Sequence, residues 1–118
     1  MEWWGDGFPD SGPILQYSNT PIGITMVVGV LTIDMVIPGS LSLKDKRQVV
    51  KSVVDGIRHK FNVSAAELDS LDSWRRAVIG VACISNDKEV ANTLLNRVLA
   101  TIESNPRLSV TDCQLEFL

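Results

Sequence analysis

Along residues 26–118 the apolar positions keep two rhythms, one of period two and one of period 3.6, and their alternation predicts six elements. The first is a strand in VGVLTIDMVIP, where Leu31, Ile33, Met35 and Ile37 alternate with Thr32 and Asp34 until Pro38-Gly39 ends it. A helix follows from Ser42, with Asp45 three residues on in the manner of a capping box. Val50, Val53, Val54, Ile57 and Phe61 form its apolar stripe, and Asn62 is placed to close it. Val63–Asp69 reads as a weaker second strand, because its alanines are poor strand formers and its alternation leaves open which face is buried. After a turn at Asp72-Ser73, Arg76–Ser85 (RAVIGVACIS) is apolar on both alternations, which predicts a central strand. A second helix starts at Asn86, with Glu89 in the capping-box position, and carries Ala91, Leu94, Leu95, Val98 and Ile102 on one side. Asn105-Pro106 stops it, and Ser109–Phe117 is the last strand.

Two strand–helix–strand units with right-handed crossovers close most simply into one antiparallel sheet of order 4-1-3-2. The expectation is therefore an α+β, ferredoxin-like βαββαβ sandwich with both helices on one face. In that order Cys83 and Cys113 stand on strands three and four with strand one between them. Two strand spacings are about 9–10 Å, beyond the roughly 7 Å between Cα atoms that a disulfide tolerates. Two buried free thiols are expected instead. The sheet face away from the helices would display Val28, Val30, Thr32, Asp34 and Val36, more apolar than a solvated face usually is. That face is expected to form a homo-oligomer interface or to grip a partner protein.

Composition sharpens this picture at two places. The chain of 118 residues is 45% apolar and 21% charged, which fits one globular domain and not a disordered chain. No apolar run reaches the eighteen or so residues of a membrane span, and the acidic, tryptophan-bearing start is unlike a secretory leader, so the reading is cytoplasmic with no membrane partner. Residues 1–25 hold four of the eight glycines and three of the five prolines, so they are not expected to keep regular structure. They are expected to be a flexible extension, or the product of an upstream start codon with Met26 as the functional first residue. A sharper alternative is an arm that docks through Trp3, Trp4 and Phe8.

Net charge is −3, which disfavours strong non-specific nucleic-acid binding by the molecule as a whole. Yet Ser42–Lys60 carries Lys44, Lys46, Arg47, Lys51, Arg58 and Lys60 against only Asp45 and Asp55. On a helix Lys44, Arg47, Lys51 and Arg58 fall within about 60° of one another and make a basic ridge beside the apolar stripe. Lys46 falls inside the apolar arc but in the first turn, where its stem could reach past the sheet edge. Lys44, Lys46, Arg47, Lys51 and Arg58 are the candidate nucleic-acid contacts.

Catalytic equipment is sparse. His59 is the single histidine and sits between Arg58 and Lys60 as a solvated helix residue. There is no HExxH, phosphate-binding loop or GxGxxG, and IPGSLSLKDKR lacks the glycine spacing of a phosphate loop. Glu67 and Asp69 have no assignable partner, while Arg75 and Arg76 could extend a basic rim or pair with Asp69 and Asp72. Trp74 reads as a hinge or edge-packing residue. No catalytic residue, metal site or cofactor is assigned. Base stacking on the sheet is disfavoured, because strands one and three carry no aromatic residue.

PGSLSLKDKRQVVKS, FNVSAAELD, Trp74 followed by RRAVIGVA, and SND before the second helix give the stretch 26–118 its most specific motifs. On these it resembles the YlxP-like family, a bacterial domain of unknown function, and Met26 matches that family's usual start. The resemblance implies a ferredoxin-like α/β sandwich without established catalytic residues. It also implies a gene neighbourhood of translation and ribosome-maturation functions. The leading expectation is accordingly a non-enzymatic binding domain that contacts ribosomal RNA or a translation factor through the ridge. The alternative is a protein-interaction or small-molecule-sensing oligomer that uses the open sheet face.

Overall fold

The computed structural model describes residues 24–69 and 72–118, so Trp3, Trp4 and Phe8 lie outside the described residues. The elements run β1 (Val27–Val36), α1 (Leu43–Lys60), β2 (Ser64–Asp69), β3 (Arg76–Ser85), α2 (Lys88–Glu103) and β4 (Ser109–Phe117). The sheet order is β2-β3-β1-β4, the expected 4-1-3-2 taken from the other edge, and every pairing is antiparallel. The fold is the βαββαβ sandwich that the two apolar rhythms predict.

Burial follows the alternation. Leu31, Ile33 and Met35 of β1 and Ala77, Ile79, Val81 and Cys83 of β3 point into the core. There they meet Val49, Val50, Val53, Val54 and Ile57 of α1 and Ala91, Leu95, Val98 and Ile102 of α2. Each large apolar side chain buried in this way contributes about 1.5–3 kcal/mol. β2 resolves the open question of its register: Ala65 is buried and Glu67 half-buried beneath α1, while Ser64, Ala66 and Leu68 are exposed.

The helix ends show where local rules hold and where they shift. Ser42 caps α1 as expected, its hydroxyl accepting from the Asp45 amide at 3.1 Å, and the Asp45 carboxylate accepts from the Leu41 amide at 3.1 Å. The first bond occupies a donor that the helix itself leaves unpaired, and the second holds the chain just before the cap. α1 closes at Phe61, not Asn62: Phe61 turns to an extended backbone, donates its amide to the Ile57 carbonyl and buries its ring. α2 is capped by Asp87 in place of Asn86. Asp87 is the last extended residue before the helix, and its carboxylate accepts from the Glu89 amide at 2.8 Å.

Gly29 lets α2 come close to the sheet, since a Cβ there would stand 2.7 Å from Leu95 Cδ1. Both edge strands carry a bulge. In β4 the register slips between Asp34 and Met35, leaving Thr111 without a partner residue, and its hydroxyl donates to the Asp34 carbonyl at 3.2 Å. In β2 the slip falls between Glu67 and Asp69, so Leu68 is the extra residue. Cys83 is buried and Cys113 exposed, and both are free. The expectation of two buried thiols fails at Cys113 because β4 is an edge strand. No helix among the described residues is long and apolar enough to cross a membrane.

Candidate binding surfaces

The expected basic ridge is thinner in the structure than in the sequence. Lys46 is fully buried, and its ammonium donates to Glu67 Oε2 at 2.7 Å, with the Glu67 side chain 17% exposed. It cannot touch RNA, which corrects its assignment as a contact; the same bond gives Glu67 the partner that the sequence did not reveal. The physical reason is the position of Lys46 in the middle of the apolar arc, over β2. From there a carboxylate inside the fold is nearer than solvent, and a buried charge requires such a partner.

Lys51 is exposed but paired with Asp55 one helical turn on at 2.6 Å. That bond holds the Asp55 carboxyl below its usual range. Lys44, Arg47 and Arg58 are exposed, with no ion pair among the described residues. Three of the five candidates thus stay exposed and outside an ion pair among the described residues, with Arg58 also acting on Asp55 through space.

The open face of the sheet is fuller than the five β1 residues alone suggested. Val28, Val30, Thr32, Asp34 and Val36 all lie on it, half-buried by their neighbours. Cross-strand pairing sets Ile84, Ala82, Gly80, Val78 and Arg76 of β3 opposite them in that order. On the outer side of β3, Ser64 pairs with Ala82 and Ala66 with Gly80. On the outer side of β1, Glu116, Gln114 and Asp112 stand beside Val30, Thr32 and Asp34. The face is thus an apolar field over β1, β2 and β3, bordered at β4 by an acidic column.

Local sequence shapes this field. The small residues Ala66, Gly80 and Ala82 leave a depression of about 610 Å³, which also takes in Val30, Leu68 and Arg58. Leu68, 56% exposed, lies across Gly80: a Cβ on Gly80 would come within 2.6 Å of Leu68 Cδ1. Ile84, 71% exposed, rises beside Val28. Leu68 and Ile84 were not among the sequence candidates. Ile84 was legible, because β3 is apolar on both alternations; Leu68 was not, because only the bulge turns it over Gly80.

The charged end of the face is self-neutralising. Arg76 clamps Asp34 with two bonds, Nε to Oδ1 at 3.0 Å and Nη2 to Oδ2 at 2.8 Å. These bonds lower the Asp34 pKa and raise that of Arg76. Arg76 therefore reaches across to Asp34 on β1, and Asp69 adds a weaker electrostatic pull on the same guanidinium. Arg75 donates from Nε to the Ser40 carbonyl at 3.1 Å, tying the β2–β3 connection to the loop before α1. Trp74, beside this tie, is 55% exposed. No three His, Cys, Asp or Glu side chains converge on a metal geometry among the described residues.

Residues 28–115 match the model of a family described as "Protein of unknown function (DUF503)". The chain belongs to this family. It is 34% identical over 91 residues to the "Uncharacterized protein YlxP" of Bacillus subtilis (strain 168), a match that covers 77% of this chain and 99% of that relative. The resemblance carried by PGSLSLKDKRQVVKS and its companion motifs is therefore a family relationship. Among solved structures, a de novo designed protein, Foldit4, is similar at a TM-score of 0.46 and 16% identity, over 79% of this chain and 96% of its own.

Proposed function

We propose that this domain is a non-catalytic docking module whose working surface is the open face of the sheet. One observation carries the reading: an apolar field that no described residue covers spans β1, β2 and β3, while the core is packed on the other face. Contiguous apolar area of this kind marks an interaction site on a soluble domain. The polar groups on the field do not form a reaction centre. Asp34 and Arg76 neutralise each other, and Thr32 and Ser64 have no base beside them among the described open-face residues. A protein surface of matching shape is the partner this chemistry accepts.

A second reading is favoured by the exposed, unpaired Lys44, Arg47 and Arg58, which would touch ribosomal RNA or an acidic translation factor from α1. The two separate in one experiment. Tagged wild type, Ile84→Glu and Lys44→Glu/Arg47→Glu are incubated with cell extract and resolved on a ribosome gradient and by affinity capture, at low and high salt. The docking-face reading expects a protein retained at high salt and lost only with Ile84→Glu. Co-sedimentation with a ribosomal subunit that high salt and Lys44→Glu/Arg47→Glu both abolish would replace it with the ridge reading.

A further inference from the structure

We infer that the partner of the open face is a second copy of this chain, packed sheet to sheet about a twofold axis that runs along the strands between β1 and β3. The inference rests on the docking-face reading and names its occupant. Two properties of the face select a copy of itself.

The first is charge placed at opposite edges. Glu116, Gln114 and Asp112 form an exposed acidic column on β4. Across the sheet, the depression beside β2 is bordered by the exposed guanidinium of Arg58. Rotation about an axis parallel to the strands lays β4 of one copy over β2 of the other, twice by symmetry. In register terms the partner's Glu116 then faces Ser64, because both belong to the row of Val30 and Ala82, and Arg58 borders that row. The other face-to-face arrangement, with the axis across the strands, would set β4 on β4 and oppose four carboxylates. The first arrangement also lays the partner's Asp112 over Asp69, in the row of Asp34 and Val78, but Arg58 and Arg76 border those carboxylates there. The second sets carboxylate on carboxylate with no base beside them; charge therefore favours the first. The neutral, apolar rows of Val28 with Ile84 and Val30 with Ala82 flank the axis.

The second property is area. Four strands about 4.8 Å apart and some 30 Å long present roughly 500–600 Å² per copy. A pair would bury about 1,000–1,200 Å² in total, the lower bound for a specific and reversible interface. Two sheets packed in this way lie about 10 Å apart, with strand directions within about 30°. The depression over Ala66, Gly80 and Ala82 then receives the flank of the partner's β4, and Ile84 meets the partner's β1.

The test is sedimentation equilibrium of the full chain from low to high micromolar concentration. The expected species has twice the 12.9 kDa chain mass. Ile84→Glu, at an exposed position that monomer folding does not use, shifts it to monomer, and Leu68→Glu does the same; far-UV circular dichroism confirms that both variants fold. Arg58→Glu or Glu116→Arg alone raises the dissociation constant roughly tenfold, because symmetry applies each change twice. The double reversal restores it to within about threefold.

A dimer lost in Ile84→Glu whose single reversals are not rescued by the double overturns the proposed axis. A dimer indifferent to both Ile84→Glu and Leu68→Glu overturns the proposal and the docking-face reading together. A wild-type monomer that binds an apolar-surface dye, with binding lost in Ile84→Glu, overturns the second copy and leaves the face as a site for another protein. A monomer that binds the dye only after Trp3→Ala/Trp4→Ala makes the chain's own residues the occupant, which also overturns the second copy.

Discussion

The buried Lys46–Glu67 pair makes an asymmetric prediction. Lys46 is 0% exposed and Glu67 17% exposed, so removing one partner is not equivalent to removing the other. Glu67→Ala takes a carboxylate partner from a fully buried ammonium and is expected to cost about 3 kcal/mol, the low end for breaking a buried pair because Glu67 itself touches solvent. Lys46→Met deletes the buried charge and keeps the stem's packing against the core. The Glu67 carboxylate can then turn outward, and the expected cost is about 1 kcal/mol. Lys46→Met/Glu67→Ala leaves no charge to strand and should also cost about 1 kcal/mol, which makes the coupling between the sites about 3 kcal/mol. In a domain of this size Glu67→Ala corresponds to a Tm drop of roughly 12–24 °C. Urea unfolding followed by circular dichroism at neutral pH measures all three variants. Equal costs for the two single variants, or a coupling under about 0.5 kcal/mol, would refute the reasoning and return Lys46 to the surface as a free cation.

Gly29→Ala places a methyl group 2.7 Å from Leu95 Cδ1 and is expected to destabilise by about 1–3 kcal/mol; thermal melts should show part of that loss recovered in Gly29→Ala/Leu95→Val. For pH, Asp34 is held below the ordinary carboxylate range by its hydrogen bonds to Arg76, so its contribution to stability is present above the unfolded carboxyl pKa and disappears as pH falls through the lower folded value. A carboxyl NMR titration should find the Asp34 midpoint depressed in wild type and returned towards the ordinary value in Arg76→Gln. An unchanged midpoint would show that the clamp does not persist in solution.

The fold was legible because most elements obey a local rule: period-two burial in β1 and β3, a 3.6 stripe in each helix, and a polar cap before each helix within one position of the expected residue. What misled was long-range geometry. Lys46 satisfied the ridge by charge and the stripe by angle, and only Glu67, 21 positions away and brought in by the turn into β2, decides between them. Arg76 has Asp69 and Asp72 nearby in sequence, but strand pairing aims its guanidinium at Asp34. Glu116 and Asp112 drew no notice because their meaning depends on β4 lying beside β1, a pairing of residues about eighty positions apart. Caps and stripes are local and can be read; partners across the sheet cannot.

The two bulges have a further consequence for how this molecule ages in a crowded solution. An edge strand offers a row of unpaired amides and carbonyls that can recruit another chain without limit, the route by which sheet proteins form fibres. Here β2 is six residues long and is broken by the Glu67/Asp69 slip, while β4 is broken at Thr111 and carries Asp112 and Glu116. The straight run left on β2 is Ser64–Glu67 and that on β4 is Asp112–Phe117, the latter carrying two carboxylates. Open-ended growth along the hydrogen-bonding direction is thus disfavoured at both sides, by shortness and a slip at β2 and by charge and a slip at β4. This lets an apolar sheet face stay open with less risk of seeding polymer.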